Sequence, residues 1–279
     1  MYNIKFLGHR GNQQEYIENS YLAIMSCSNN PLIHGAELDI RPTKDSKIIV
    51  SHNASLKKEK IKDLTLEQIK DMTFQTIAID RLLQILYNLK NKDPYFIEQY
   101  ISLGKNSTPL TTLDLILKNY SKAKHLLIEL KCNVGEYSSH MQKKFEEELI
   151  DLSVYYNYQQ INLALESYNL EALLRIKRQL PDIKIIALIN KRGSVKRLNM
   201  DFDGFSLEYP LLNNELIESL MKYKKTLYTW DDKRPLPHYQ KISQCVDEFN
   251  NEISSGALDL SVINDFPIQA QTYVRKLTK

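Results

Sequence analysis

Short apolar runs alternate along the chain with longer stretches in which apolar residues recur at helical spacing. The runs Ile4–Gly8, Gly35–Ile40, His125–Lys131, Gln160–Leu165, Ile183–Ile189, Gly204–Leu207, Thr226–Trp230 and Leu258–Asn264 predict strands. Helical periodicity falls between them, near 18–29, 112–121, 139–156, 169–179, 194–199, 213–224 and 235–253. Eight strands in strict strand-then-helix order predict an α/β fold of the (β/α)8 TIM-barrel type, an architecture that typically takes ~250 residues. An open doubly wound sheet shares the alternation and is the main competitor. No strand is followed by a Gly-x-Gly-x-x-Gly turn, which weakens its dinucleotide-binding version.

One segment breaks the rhythm. Residues 53–108 far exceed an ordinary strand-to-helix connection of ~2–6 residues. The segment has helical stretches of its own, Leu64–Met72 and Ile77–Leu89, and an aromatic remainder through Tyr95, Phe96 and Tyr100. It reads as an insertion subdomain after the second strand, over one rim of a single domain spanning 1–279. The periodicity of Ile79, Leu82, Leu83, Ile85 and Leu86 predicts that part of it packs.

Composition narrows the classes. Of 279 residues 43% are hydrophobic and 25% charged, as in an ordinary globular protein. Thirty-seven basic against 34 acidic residues leave a net charge near +3, too small and too scattered to argue for nucleic acid. Cys27, Cys132 and Cys245 are odd in number and lack metal-ligand spacing, so they read as free thiols in a reducing compartment. No run approaches the ~18–20 apolar residues of a membrane span, so no stable membrane insertion is expected. The N-terminal residues lack the organisation of a secretory signal, which makes the cytoplasm the expected location. Only 8 glycines are present, and Gly8 and Gly11 bracket His9-Arg10.

The chemistry lies in polar residues standing inside apolar strands. In Gly35-Ala-Glu-Leu-Asp-Ile-Arg41 the two-residue period puts Glu37, Asp39 and Arg41 on one face and Ala36, Leu38 and Ile40 on the other. The same alternation in Leu126-Leu-Ile-Glu-Leu-Lys131 places Glu129 with Lys131. In a parallel barrel the apolar face packs on helices, so the charged faces point inward. Uncompensated carboxylates there would cost several kcal/mol each. A divalent cation compensates them, and three carboxylates suit Mg²⁺ or Ca²⁺ better than Zn²⁺. The competing reading is a buried salt-bridge network in which Lys131 and Arg41 neutralise the acids.

Two histidines favour catalysis. His9 follows the first strand, and His52 ends the apolar run Lys47-Ile-Ile-Val-Ser-His52. Near Glu37 and Asp39 they supply an acid and a base, while Arg10 and Lys131 suit an anionic centre. His34, His125, His140 and His238 lack such company and read as structural or exposed. Acids for a metal, paired histidines and paired cations describe a phosphoester-cleaving site.

The order of these residues resembles the glycerophosphodiester phosphodiesterase family. Gly8-His-Arg-Gly11, Glu18-Asn-Ser20, Gly35-Ala-Glu-Leu-Asp39, Thr43-Lys-Asp45 and Val50-Ser-His52 follow its motif order. Thr108-Pro-Leu110, Ile128-Glu-Leu-Lys131, Tyr228-Thr-Trp230 and Asn264-Asp-Phe-Pro267 continue it, so the likeness runs from residue 4 to about 268. The resemblance implies a barrel with an insertion after the second strand. It implies Glu37, Asp39 and Glu129 as metal ligands, His9 and His52 as the acid/base pair, and Arg10 and Lys131 as phosphate contacts. Trp230 then lines the substrate cleft. Glu18 and Asn19 are expected to fix the first loop and cap the first helix rather than touch substrate.

The implied reaction is metal-dependent hydrolysis of a small glycerophosphodiester to an alcohol and glycerol phosphate. The chain departs from the family at Asn53, where Asp is usual after the second histidine, and at Ile17, where Pro often precedes Glu-Asn. A phospholipase D-like enzyme forming a cyclic phosphate, of the spider sphingomyelinase type, and a non-catalytic binding module on the same fold are the alternatives. Glu166, Glu208, Asp231 and Asp232, at or just past predicted strand ends, are second-tier candidates for substrate hydroxyls.

Overall fold

The structure is a computed structural model and describes residues 4–56, 58–72, 110–190, 201–230 and 235–277. In chain order its strands are β1 (Lys5–Gly8), β2 (Gly35–Pro42), β3 (Ile48–Val50), β4 (Ser55–Leu56), β5 (Glu59–Lys60), β6 (His125–Leu130), β7 (Asn162–Ser167), β8 (Lys184–Ile189), β9 (Gly204–Glu208), β10 (Thr226–Trp230) and β11 (Leu260–Asn264). The helices described are α1 (Tyr21–Asn29), α2 (Leu66–Asp71), α3 (Leu113–Asn119), α4 (Ser139–Tyr155), α5 (Leu170–Gln179), α6 (Asn214–Lys222), α7 (Pro235–Glu248), α8 (Asn250–Ser255) and α9 (Pro267–Leu277). Eight strands pair in the order β1-β11-β10-β9-β8-β7-β6-β2, all parallel, and β1 also pairs with β2. The sheet is therefore a closed barrel, and the open-sheet alternative falls.

The period-two pattern explains the two cores. Leu7, Leu127, Ala164, Ile186, Tyr228 and Ile263 point inward and fill the barrel. Alternating positions Phe6, Ala36, Leu38, Ile40, Leu126 and Ile128 face outward and pack with Ile24, Ile116, Phe145, Leu173 and Ile176 of the helices. Each buried Leu, Ile or Phe among them contributes roughly 1.5–3 kcal/mol. Helix entries are set locally: Ser20, Thr112, Ser138, Asn169 and Asn213 each accept a bond from a backbone N–H of the first turn. One such cap is worth about 1 kcal/mol.

Near the amino end of the barrel, His125 opens β6 and is bonded on both ring nitrogens, to the Asn162 carbonyl (2.8 Å) and the Tyr228 hydroxyl (2.9 Å). Burial lowers its pKa to about 4, so it stays neutral. His238 is also buried, which lowers its pKa to about 3, and His34 accepts the Phe6 N–H. His140 is exposed. The structural reading of these four histidines fits their positions.

Several boundaries differ from expectation. The fourth barrel strand runs Asn162–Ser167 rather than 160–165, because Tyr158–Ile161 are taken up in turns after α4. The helical stretch 235–253 is two helices separated at Phe249. After the last strand a helix follows that the apolar pattern did not predict, Pro267–Leu277, which packs on α7 and β1. The described part of the insertion contains β4, β5 and α2, with Ile61, Leu64 and Ile69 packed on Ile49 of β3. The expected helices 77–89 and 194–199 lie outside the described residues. No helix among the described residues is long and apolar enough to cross a membrane, and all three cysteines are buried and free.

Candidate active site

Seven of the eight residues singled out by sequence, His9, Arg10, Glu37, His52, Glu129, Lys131 and Trp230, line one cavity of about 170 Å³. The eighth, Asp39, is 1% exposed and lies behind the two cations. The cavity opens where barrel strands end: Gly8 ends β1, Trp230 ends β10, and Lys131 follows β6. In TIM barrels that face carries the active site. The reason is local. Inward-pointing side chains near strand termini meet the loops, where backbone N–H and carbonyl groups are available to polar partners.

The first loop is held in a strained shape. Arg10 and Asn19 take positive φ, 54° and 57°, although neither is glycine. Bonds from Asn19 N–H to the Arg10 carbonyl (2.8 Å), Gly11 N–H to the Glu37 carbonyl (3.1 Å) and Arg10 N–H to Glu37 Oε2 (2.8 Å) fix that shape. Gly11 has φ +87°, and a Cβ there would lie 2.7 Å from the Ala23 Cβ. The loop thus brings His9 and Arg10 over β2. Ser20, not Glu18 or Asn19, caps α1. Glu18 instead pairs with Arg10 at 3.0 Å, and the Asn19 amide donates to Asp39 Oδ2 at 2.8 Å.

Asp39 is the most heavily partnered acid. Lys131 Nζ lies 3.0 Å from one oxygen and Arg10 Nε 3.3 Å from the other. Burial disfavours its charge, yet Lys131 and Arg10 hold its carboxyl well below the usual range. Glu37 behaves oppositely: burial, then the charge of Asp39, push it up to about 8. Burial and Asp39 likewise push Glu129 up to about 7, even with Lys131 at 2.6 Å. Glu166, on the inner face of β7 beside Glu129, is driven well above the carboxylate range by burial and then by Glu129 and Glu37. Glu37, Glu129 and Glu166 each offer an oxygen within 4.8 Å of the others.

This donor set fits a hard divalent cation. Carboxylates are the ligands such ions take, and buried Oε1 of Glu37 and Oε2 of Glu166 have no hydrogen-bond partner. Arg41 is absent from the neutralising network that the competing sequence reading required. Its guanidinium turns to Glu136 (2.6 Å) and to the His52 carbonyl (2.9 and 3.1 Å), so it clamps the loop carrying His52. The acids are left with Arg10 and Lys131.

The two histidines sit in contrasting fields. His9 Nδ1 meets Asp265 Oδ1 at 2.6 Å, just past β11. Burial and Arg10 oppose protonation, but Asp265 and Glu37 outweigh them and raise His9 to about 9. His52 is lowered by burial and by Arg10 and Lys131, despite Asp39. Asp265 had no assigned role in the sequence reading, although Asn264-Asp-Phe-Pro267 carried part of the resemblance. Tyr168 also lines the cavity and was not foreseen. Glu208 ends β9 and is not among the residues lining the cavity, whereas Asp231 and Asp232 lie outside the described residues.

A closed barrel that gathers carboxylates, histidines and cations at its carboxyl rim has the groups from which a phosphoester-cleaving enzyme is built. Residues 9–249 match the glycerophosphoryl diester phosphodiesterase family, and the chain belongs to that family of hydrolytic enzymes. A glycerophosphodiester phosphodiesterase from Caldanaerobacter subterraneus subsp. tengcongensis is 24% identical over 251 residues, 86% of this chain and 90% of that protein. A crystal structure of a glycerophosphodiester phosphodiesterase from Parabacteroides distasonis superposes with a TM-score of 0.69 at 18% identity, covering 100% of this chain and 99% of the other. An Oleispira antarctica phosphodiesterase in complex with the product sn-glycerol-3-phosphate gives 0.68 at 14% identity, covering 97% and 96%.

Proposed function

We propose that this enzyme hydrolyses small glycerophosphodiesters to an alcohol and glycerol phosphate, using a divalent cation, Mg²⁺ or Ca²⁺, held by Glu37, Asp39 and Glu129. The observation that carries the reading is the convergence of His9, His52, Arg10, Lys131 and two of those acids on one cavity. When bound, the cation supplies Lewis-acid polarisation of a phosphate oxygen. Arg10 and Lys131 bind the other oxygens and stabilise the negative charge that grows on them. In the resting protein both cations are occupied by carboxylates, so phosphate entry exchanges one set of oxygens for another.

His9 is assigned as acid and His52 as base. Asp265 at 2.6 Å favours the imidazolium of His9, while the cations near His52 favour its neutral form. His52 takes the proton of the attacking O–H, water or a neighbouring glycerol hydroxyl. A new P–O bond forms as the bond to the leaving alkoxide breaks, and His9 protonates that alkoxide. With water the products form directly; with the glycerol hydroxyl a cyclic phosphate forms first and is then opened.

Trp230 and Tyr168 border the cavity and contact the alcohol half. The small cavity suits a soluble diester rather than a bilayer, and the buried free thiols support a cytoplasmic setting. Turnover of glycerophosphocholine followed by phosphorus NMR, with Mg²⁺, Ca²⁺ or Mn²⁺ and then with chelator, tests the proposal. Metal-restored release of glycerol phosphate is expected, with activity falling ~10²–10⁴-fold in His9→Ala or His52→Ala. Inactivity with every metal would move the reading to a binding module, and an accumulating cyclic diester to the phospholipase D-like alternative.

A further inference from the structure

We infer that Glu166 is a further ligand of the divalent cation beside Glu37, Asp39 and Glu129, and that it draws the ion toward β7. This rests on the metal-dependent reading above and extends it to a residue outside the ligand set that the family resemblance supplies. Three observations carry it. First, register: Glu129 on β6 is paired with Glu166 on β7, and both point into the barrel. Second, partnering: Asp39 is satisfied by Asn19, Arg10 and Lys131, whereas Glu166 Oε2 and Glu37 Oε1 are buried atoms without a hydrogen-bond partner, and Ser206 beside Glu166 offsets its burial only in part. Both residues are only 2% exposed.

Third, size: Glu37, Glu129 and Glu166 each present an oxygen within 4.8 Å of the others. Two ligands of one calcium-sized ion, each about 2.4 Å from it, lie at most about 4.8 Å apart. Three oxygens mutually 4.8 Å apart lie about 2.8 Å from a common centre, so side-chain adjustments of a few tenths of an ångström bring all three to a calcium-like distance without moving a strand. The cation would occupy the space that their mutual repulsion otherwise keeps unfavourable. The alternative role for Glu166, a protonated acid that donates to a substrate hydroxyl, requires no contribution to metal affinity.

Trp230 makes a direct measurement available. It is the only tryptophan in the chain and lines the same cavity, so it can sensitise the luminescence of Tb³⁺ bound there as a calcium substitute. Tb³⁺ titration and calorimetry with Ca²⁺ and Mn²⁺ would compare the unaltered protein with Glu166→Gln. Glu171→Gln, an exposed carboxylate on α5, serves as the surface control. Loss of the ligand is expected to weaken binding at least ~10-fold and to reduce the thermal shift that metal confers. The metal-free melting temperature should not fall, because the amide keeps the side-chain shape and leaves one fewer ionisable group among the buried acids. Wild-type affinity in Glu166→Gln, within twofold, overturns the assignment while leaving the metal-dependent reading intact. Failure of the unaltered protein to bind any divalent ion overturns both.

Discussion

Asp265→Asn separates the two histidines experimentally. The carboxylate touches His9 Nδ1 at 2.6 Å and also accepts from Gln13 Nε2 at 2.9 Å. It is a principal opponent of the burial and the Arg10 charge that push His9 down, and the net result is a rise from 6.5 to about 9. Such a rise corresponds to about 3 kcal/mol of differential stabilisation of the imidazolium. An asparagine keeps the shape and removes the charge, leaving burial and Arg10 in control. The His9 pKa is expected to drop by about 1–2 pH units or more.

With His9 as the acid, activity is lost as pH rises through its pKa. The alkaline limb of the kcat/KM profile should therefore move from near pH 9 toward neutrality. Stability provides an independent check. A raised folded pKa stabilises fully below the unfolded value of 6.5, and the benefit is lost as pH climbs through about 9. Denaturant melts in chelator should show Asp265→Asn less stable by about 1–2 kcal/mol at pH 6, a figure reduced for the partial exposure of Asp265, and equal to the parent above pH 9. An unmoved alkaline limb, or a stability gap that widens with pH, would refute the reasoning.

Two further substitutions probe the scaffold. Arg41→Met removes the part-buried ion pair to Glu136 and both bonds to the His52 carbonyl; unfolding should become easier by about 1–3 kcal/mol. The folded fraction should show a roughly tenfold lower kcat with KM little changed, and full activity in that fraction would show that His52 needs no clamp. Gly35→Ala places a methyl 2.0 Å from the His125 carbonyl oxygen, where β2 and β6 pair. Overpacking of this kind costs at least about 1–3 kcal/mol, read as a lower melting temperature; an unchanged value would mean that the two strands separate at little cost.

Much of the site was legible because β-strands have a period of two. Glu37, Asp39 and Glu129 could be assigned to the inner face from the alternation in two short runs, and the barrel confirms that face. The segment after α4 was less legible. Turns at Tyr158–Ile161 delay β7, so Glu166 falls inside the strand, opposite Glu129, rather than at its border. The helix after β11 is less legible because its apolar residues are spread among polar ones. Its start at Pro267, where the missing N–H is no loss, marks the entry.

The sequence by itself determined which residue types stand in the barrel and which face each occupies, because alternation and helical periodicity are local. Those patterns were enough for the fold, and the motif order for the family. Only the tertiary structure decided the partners. Asp265 reaches His9 across 256 positions because β11 lies beside β1 in the closed ring. Arg41 shares the inner-face parity of Glu37 and Asp39, yet Glu136 and the His52 carbonyl draw it away from them. Glu166 joins the acids through strand register, while Asp39 is already neutralised. Charge pairing in a barrel depends on which strands become neighbours and how their ends align, and neither quantity is carried by local periodicity.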